Sequence, residues 1–166
     1  MRYRVLIVDD EAASRDALVE LTQRWGYDVQ MASDGTEALR RAIEGHPDVI
    51  LTDLVMPGMD GAQATAAIRQ VCPEVQVIAL TSFVDDTLVE PILSAGAISY
   101  ILKDAGPDKV VQAIREAYEG RGTIDSSAMQ ALMRRGKQEA PVDWGLTPRE
   151  REVLGLLVGG LSNKEI

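Results

Sequence analysis

Residues 49–61 read Val49-Ile50-Leu51-Thr52-Asp53-Leu54-Val55-Met56-Pro57-Gly58-Met59-Asp60-Gly61, and this stretch decides the fold. A short apolar run breaks off at Thr52-Asp53 and gives way to a turn-forming segment with one proline and two glycines. Apolar runs without polar alternation are typical of a strand that is buried on both faces. The stretch therefore predicts an interior strand that ends in a carboxylate.

Four further segments resemble this strand, and they alternate with segments of helical periodicity. The apolar runs lie at residues 5–8, 75–80 and 98–102, with a weaker candidate at residues 28–31. Helical spacing aligns apolar residues on single faces, which include Leu18, Leu21 and Trp25 in one segment and Val110, Ile114 and Tyr118 in another. Five strands alternating with five helices predict an α/β fold with helices on both faces of a parallel sheet. For this length we expect a flavodoxin-like, doubly wound five-stranded sheet of order 2-1-3-4-5.

The charge of the chain is unevenly distributed. The net charge is −9, but residues 1–120 hold 10 Lys/Arg and 20 Asp/Glu, a net of −10, and residues 121–166 a net of +1. An acidic N-terminal part repels nucleic acid, so any DNA contact is expected from the C-terminal part. No apolar stretch approaches the roughly 20 residues of a membrane span, and we expect no secretory signal. These features predict a cytoplasmic protein with no membrane partner.

The composition changes near residues 120–122, which predicts that a first domain covers residues 1–121. Residues 126–135 have helical periodicity and residues 136–141 are polar, so residues 122–145 predict a helical linker. Residues 147–150 form a capping box with proline at the first helical position, and residues 162–165 form a second. Residues 146–166 therefore predict one helix and the start of another.

Polar side chains stand at the ends of four predicted strands. Asp9 and Asp10 follow the first strand, Asp53 the third, Thr81 the fourth and Lys103 the fifth. The carboxyl ends of parallel strands meet at one edge of a doubly wound sheet, where ligands bind. Three neighbouring carboxylates repel unless a cation compensates, and with oxygen ligands alone Mg²⁺ fits best. The sequence therefore predicts a magnesium site at the three aspartates.

The same residues suit the formation of an acyl phosphate. A carboxylate nucleophile at Asp53 can accept a phosphoryl group, and this transfer depends on positioning and charge neutralisation more than on acid–base help. Mg²⁺ and the Lys103 ammonium would supply the neutralisation, and Thr81 would donate a hydrogen bond to a phosphoryl oxygen. No GxxxxGK[ST] or GxGxxG loop is present, so nucleotide binding is not indicated.

Taken in order, these motifs resemble the receiver domain of two-component response regulators over about residues 3–120. The motifs are residues 8–11, residues 53–61, Thr81-Ser82 and Lys103. Each is weak alone, but the four together in this order are highly specific. The resemblance implies that Asp53 is the phospho-acceptor and that Lys103 is its partner lysine.

Further residue roles follow from the same resemblance. It implies that Asp9 and Asp10 bind Mg²⁺ and that the backbone carbonyl of Val55 is an additional ligand. It also implies that Thr81 is the switch hydroxyl and Tyr100 the switch aromatic residue. In this family no separate substrate is turned over, so we expect no enzyme activity beyond the protein's own aspartyl phosphorylation and dephosphorylation.

Residues 146–166 resemble the opening of a LuxR-type helix-turn-helix, and Asp104 after Lys103 fits the NarL/LuxR branch of response regulators. The resemblance implies a sensor histidine kinase as donor, a homodimer on phosphorylation and a DNA-binding transcriptional output. The recognition helix is not in this sequence, so we expect DNA binding through the full-length C-terminal domain and not by this truncated chain.

Two other functions stay open at this point. A receiver that acts only through protein–protein interaction, without DNA binding, would fit a chain with no recognition helix. A Mg²⁺-dependent hydrolase that uses Asp53 on small phosphate esters is disfavoured, because no substrate pocket or separate acid–base residue is apparent. We expect no catalytic role for His46, in a Gly-His-Pro loop, and we interpret Cys72 as a small apolar-leaning residue.

Overall fold

A computed structural model describes residues 3–82 and 85–138 of the chain. Within these ranges one five-stranded, all-parallel sheet has the order β2-β1-β3-β4-β5, as predicted. The strands are β1 Arg4–Val8, β2 Asp28–Ala32, β3 Val49–Thr52, β4 Gln76–Thr81 and β5 Ser99–Leu102. The predicted helix-turn-helix at residues 146–166 lies outside the described residues.

Five helices alternate with the strands and a sixth follows them, which confirms the flavodoxin-like prediction. They are α1 Ala12–Arg24, α2 Gly35–Gly45, α3 Gly61–Val71, α4 Asp86–Ser94, α5 Pro107–Tyr118 and α6 Ser126–Gln138. A single turn of 3₁₀ helix, Lys103–Ala105, connects β5 to α5. Across the described part of the chain, no helix has the length and apolar character needed to cross a membrane.

The sheet separates two apolar layers. Leu6 and Ile50 face one layer with α2, α3, α4 and α6, whereas Val5 and Leu51 face the other with α1 and α5. All four residues of β3 are buried, which explains why its sequence shows no polar alternation. Burial of each of its three apolar side chains, at residues 49–51, stabilises the fold by about 1.5–3 kcal/mol. The interior position of β3 holds Asp53 at the centre of the carboxyl edge.

Helix α6 belongs to the first compact unit over residues 126–134. Ala128 and Ala131 of this helix are fully buried in the same apolar layer as α4. The segment before it pairs with the edge of β5, since the Tyr100 N–H donates to the Thr123 carbonyl at 2.9 Å. The helix predicted in the linker is therefore present, and its buried alanines belong to the same apolar cluster as Tyr100 of β5.

Two aromatic residues differ from their predicted place on the core face of a helix. Trp25, just after α1, and Tyr118, at the end of α5, are each 46% exposed. The buried residue of α1 is Thr22, whose hydroxyl donates to the Leu18 carbonyl at 2.6 Å. A hydroxyl that bonds its own helix backbone can be buried at little cost. The sheet-facing side of α1 is thus centred on a threonine that apolar periodicity does not identify.

Candidate functional site

The carboxyl ends of β1, β3 and β5 bring the predicted charged residues together. Asp9, Asp10 and Asp53 each offer a carboxylate oxygen, and the three atoms lie within 4.8 Å of one another. The Lys103 ammonium bridges two of them, at 2.7 Å from Asp9 Oδ2 and 2.9 Å from Asp53 Oδ2. One cation thus connects the ends of three strands.

Asp9 is the most enclosed member of this site, with 1% of its surface exposed. The Ser14 hydroxyl donates to Oδ2 at 2.6 Å, and the Glu11 N–H donates to Oδ1 at 2.9 Å. Buried carboxylates are tolerated when they are paired and hydrogen-bonded, and Asp9 meets both conditions with Lys103 as its counter-ion. Sequence reasoning missed Ser14, although its place in the first turn of α1 was the available signal.

Asp53 is held from its own backbone and from Lys103. The Leu54 N–H donates to Oδ1 at 2.6 Å, while Oδ2 pairs with the ammonium. Helix α3 begins close by, because Gly61 has no side chain: a Cβ at that position would collide with the Asp53 carbonyl oxygen. The Asp53 side chain keeps 14% of its surface exposed. The Asp53 carboxylate is therefore fixed in place and still accessible from solvent.

The neighbouring aspartates stabilise the protonated form of Lys103. Burial disfavours the ammonium form, but the hydrogen bonds and charges of Asp9 and Asp53 outweigh this and raise the Lys103 pKa above its ordinary value. The side chain is only 17% exposed, so water screens these interactions weakly. Lys103 is thus a permanent cation that partly neutralises the aspartate cluster.

Thr81 and Tyr100 lie beside the charged site in the protein interior. Thr81 ends β4 with 1% of its surface exposed, and Tyr100 in β5 is completely buried. Burial first, and then the charges of Asp85 and Asp53, raise the pKa of Tyr100 to about 12. Among the buried side-chain polar atoms of the described residues, only the Tyr100 hydroxyl has no hydrogen-bond partner. An unpaired buried hydroxyl costs about 1–3 kcal/mol, so a rearrangement that pairs it would be favourable.

The two remaining predicted site residues, Asp10 and Val55, lie at the solvent-exposed side of the aspartate site. Asp10 is exposed, and its carboxylate completes the aspartate cluster from the solvent side. The Val55 side chain is 56% exposed, between the buried Leu54 and Met56, and the ligand role of its carbonyl stays a prediction. The donor set of the cluster consists of carboxylate oxygens, which suits a hard divalent cation such as Mg²⁺ or Ca²⁺.

The model of the response regulator receiver domain family matches residues 5–115. The chain is a response regulator of this family. The transcriptional regulatory protein LiaR of Bacillus subtilis is 41% identical over 173 residues, which cover 98% of this chain and 80% of LiaR. The response regulator protein VraR of Staphylococcus epidermidis strain RP62A is 37% identical over 168 residues, covering 100% of this chain and 80% of VraR.

Solved structures place this response regulator in the NarL/LuxR group, as predicted. A LuxR-family two-component response regulator from Aurantimonas sp. SI85-9A1 has a TM-score of 0.76 at 30% identity, covering 83% of this chain and 100% of that one. The signal receiver domain of NarL from Mycobacterium tuberculosis has a TM-score of 0.67 at 33% identity, covering 72% and 98%. The receiver family and these transcriptional regulators imply a kinase partner and a DNA-binding regulator.

Proposed function

We propose that this response regulator accepts a phosphoryl group on Asp53 from a sensor histidine kinase. The observation that carries the proposal is the bridge from Lys103 to both Asp9 and Asp53. An Asp53 carboxylate oxygen attacks phosphorus, the P–N bond to the donor histidine breaks with its electron pair on nitrogen, and a P–O bond forms. The product is an aspartyl phosphate on a site that is already partly charge-compensated.

Asp9, Asp10, Asp53 and the Val55 carbonyl would hold a magnesium ion, which would supply further neutralisation of phosphoryl charge. Lys103 supports the transfer, because its ammonium already lies 2.9 Å from the reacting carboxylate. Such a preorganised cation needs little reorganisation when charge develops during transfer.

The chemistry is confined to the protein's own aspartate. No general acid–base histidine is available, because the one histidine of the chain, His46, follows α2 at the opposite edge of the sheet. The charged network is made of carboxylates and one ammonium, which favours positioning and charge neutralisation over proton transfer. We therefore assign no separate substrate to the site.

Helix α6 is the described element best placed to carry the phosphorylation signal outward. Tyr100 lies in one apolar cluster with Val89 of α4 and Ala128 of α6. Arg134 of α6 makes two hydrogen bonds to Asp86 at the start of α4, at 2.8 and 3.0 Å. Thr81 moves toward the new phosphoryl group, Tyr100 follows, and the populations of α4 and α6 packing shift.

This change controls a homodimer and a transcriptional output in the cytoplasm. The surface around α4 and β5 is the first candidate for the dimer contact, because it is where Tyr100 and α6 meet. The faces of α1 and α5 are the alternative contact. DNA binding is assigned to the C-terminal part of the protein, from residue 146 onward, which resembles a helix-turn-helix.

One experiment tests both the acceptor and its coupling to α6. Wild type, Asp53→Asn and the control Asp16→Asn, which alters an exposed acid in α1, are incubated with Mg²⁺ and acetyl phosphate. Phosphoryl uptake is followed by intact mass, and hydrogen exchange of residues 123–134 is measured in parallel. We expect D53N to lose at least about 100-fold in uptake rate, because it lacks the nucleophile, and the control to match wild type.

Phosphorylated wild type is expected to exchange residues 123–134 faster, while D53N stays unchanged under the same conditions. Uptake by D53N at the wild-type rate would reject Asp53 as the acceptor. Unaltered exchange in fully phosphorylated wild type would leave the acceptor in place and reject the coupling through α6.

A further inference from the structure

A second cluster of ligand-type side chains lies at the amino edge of the sheet, opposite the aspartates. His46 follows α2, Cys72 follows α3, and Glu74 lies just before β4. One donor atom from each of the three residues lies within 4.8 Å of the others. Because helices of this fold run back from the carboxyl edge to the amino edge, the cluster is separate from the phospho-acceptor site.

His46 occupies its position at a conformational cost. It has a φ of 44° and is the one non-glycine residue with positive φ in the described ranges. Its N–H donates to the Ala42 carbonyl at 3.1 Å and so ends α2. Glycine or asparagine is the usual choice for such a left-handed helix end. An imidazole is costlier here than glycine, although histidine is among the side chains that adopt positive φ more often than most.

The Cys72 side chain is directed toward the same helix end. Its sulfur lies 3.8 Å from the Ala42 carbonyl oxygen, the acceptor that also receives the His46 N–H. Cys72 is buried, while His46 and Glu74 are exposed and free to turn toward it. Burial, and then the Glu74 charge, raise the pKa of the Cys72 thiol. Thiol, imidazole and carboxylate therefore meet at the surface with the sulfur on the inner side.

The surroundings of this cluster favour a cation. The carboxyl ends of α2 and α3 both point to it, and helix carboxyl ends carry partial negative charge. Asp48 and Glu74 line the adjacent cavity of about 320 Å³, together with Arg4. The neighbouring guanidinium groups bond to backbone carbonyls, Arg4 to Gly45 at 2.9 Å and Arg69 to Val75 at 2.7 Å.

We propose that His46, Cys72 and Glu74 bind one transition-metal ion of the Zn²⁺ class. The ligands are an imidazole nitrogen, a thiolate sulfur and a carboxylate oxygen, a set that suits Zn²⁺ and not Mg²⁺. Zinc bonds of about 2.0–2.3 Å place tetrahedral donors about 3.5 Å apart, so rotation of the two exposed side chains closes the site. The thiol proton leaves to solvent as the metal–sulfur bond forms, and water takes the fourth position.

The bound ion would connect the ends of α2 and α3 and the start of β4. Since the metal binds the folded chain, it should raise the melting temperature in proportion to its affinity. The effect does not depend on phosphorylation, because none of the three ligands belongs to the aspartate site.

Cobalt is the probe for this site, because a thiolate bound to Co²⁺ gives a charge-transfer absorption that carboxylate sites lack. The reduced chain is freed of metals and titrated with Co²⁺ in excess Mg²⁺, which keeps the aspartates occupied. We expect one Co²⁺ per chain with a thiolate charge-transfer band, displaced by Zn²⁺. A Zn²⁺-dependent rise in melting temperature should accompany binding.

His46→Asn is the sharpest variant, because asparagine tolerates the left-handed conformation and removes only the ligand. We expect its Co²⁺ affinity to fall at least about tenfold, since even outer-shell partners of metals contribute that much. Cys72→Ser should abolish the charge-transfer band. Glu44→Gln, an exposed acid paired with Arg40, is the control and should bind like wild type.

Absence of the band at stoichiometric Co²⁺ would overturn the proposal. Wild-type affinity in H46N would also overturn it, because the cysteine alone would then explain the binding. If C72S fails to fold, H46N and Glu74→Gln decide the question, with melting curves of the metal-free proteins reporting their folding.

Discussion

The two edges of the sheet are built from opposite kinds of interaction. At the carboxyl edge, Lys103 pairs with two enclosed carboxylates within 3 Å. At the amino edge, an aromatic cluster of Tyr3, Trp25, Tyr27 and Tyr118 lines a cavity of about 390 Å³. The Tyr3 ring centroid lies 3.8 Å from that of Tyr118 and 6.2 Å from that of Tyr27.

This difference separates reactivity from stability within one small domain. Enclosed charges are costly to desolvate, and they contribute to stability only while each partner is present. Aromatic packing contributes to stability through buried area and ring contacts, with little dependence on charge. Changes at the carboxyl edge should therefore alter both phosphorylation and stability, whereas changes in the aromatic cluster should alter stability alone.

The largest effect is expected from Lys103→Met, which keeps the apolar stem and removes the ammonium. Loss of one partner from an enclosed ion pair should cost about 3 kcal/mol of unfolding free energy in EDTA, since the carboxylates are left unpaired. Removal of one stabilising cation should slow phosphoryl uptake by about 100-fold. Urea denaturation and the initial rate of labelling by acetyl phosphate measure the two losses.

Lys109→Met is the matched control for that variant. Its ammonium lies 3.3 Å from Asp125, and its side chain is 54% exposed. A pair in contact with water contributes less than about 1 kcal/mol, so K109M should label at the wild-type rate. Equal behaviour of K103M and K109M in both assays would show that the bridge from Lys103 to Asp9 and Asp53 contributes neither to stability nor to phosphoryl uptake.

An intermediate effect is expected at the amino edge from Tyr3→Leu. This change removes the ring contacts with Tyr27 and Tyr118 but keeps an apolar side chain, and aromatic pairs are worth about 0.5–1.5 kcal/mol each. We expect a loss of about 1–2 kcal/mol in urea denaturation, with phosphoryl uptake unchanged. Tyr3→Phe, which keeps the ring, should retain both the wild-type stability and the wild-type rate of phosphoryl uptake. Slower labelling in Y3L would mean that the two edges are coupled.

The smallest expected effect is the pH dependence of Glu37 at the start of α2. Its carboxylate accepts the Ser33 N–H at 2.9 Å and pairs with Arg41 at 2.8 Å, and these contacts lower its pKa from 4.5 to about 2. A folded-state pKa below the unfolded value means stabilisation above pH 4.5 that is lost as the pH falls toward 2.

Glu37→Gln should therefore be less stable than wild type by about 1 kcal/mol at pH 7, as for other helix-start contacts. The difference should shrink between pH 4.5 and about 2. Urea denaturation across this range measures it, with Glu44→Gln as the exposed ion-pair control. A difference that stays constant with pH would assign the effect to something other than the ionised carboxylate.

The carboxyl edge could be predicted from sequence because topology alone brings strand ends together. Once the order of parallel strands is known, Asp9, Asp53 and Lys103 must share one edge whatever the rotation of the helices. The detailed pairing was not predictable in the same way. Whether Lys103 contacts one carboxylate or two, and whether Ser14 reaches Asp9, depends on how α1 and the turn after β5 are oriented.

The contacts at the amino edge could not be predicted, because they too depend on how the helices are oriented and where they end. Trp25 and Tyr118 fit the apolar faces predicted for their segments, yet each is 46% exposed, and the buried residue of α1 is Thr22. The meeting of His46 with Cys72 requires α2 and α3 to end side by side. The burial of α6 depends on its alanines, which apolar periodicity cannot distinguish from those of an exposed helix.

The most direct test of the account is to locate the phosphoryl group in the labelled protein. Wild type is phosphorylated with Mg²⁺ and acetyl phosphate, the acyl phosphate is reduced with borohydride, and peptides are sequenced by mass spectrometry. Reduction converts a phosphorylated aspartate into homoserine, so we predict homoserine at position 53 alone. Homoserine at Asp9 or Asp10, or a stable phosphate on any hydroxyl side chain in place of it, would contradict the account.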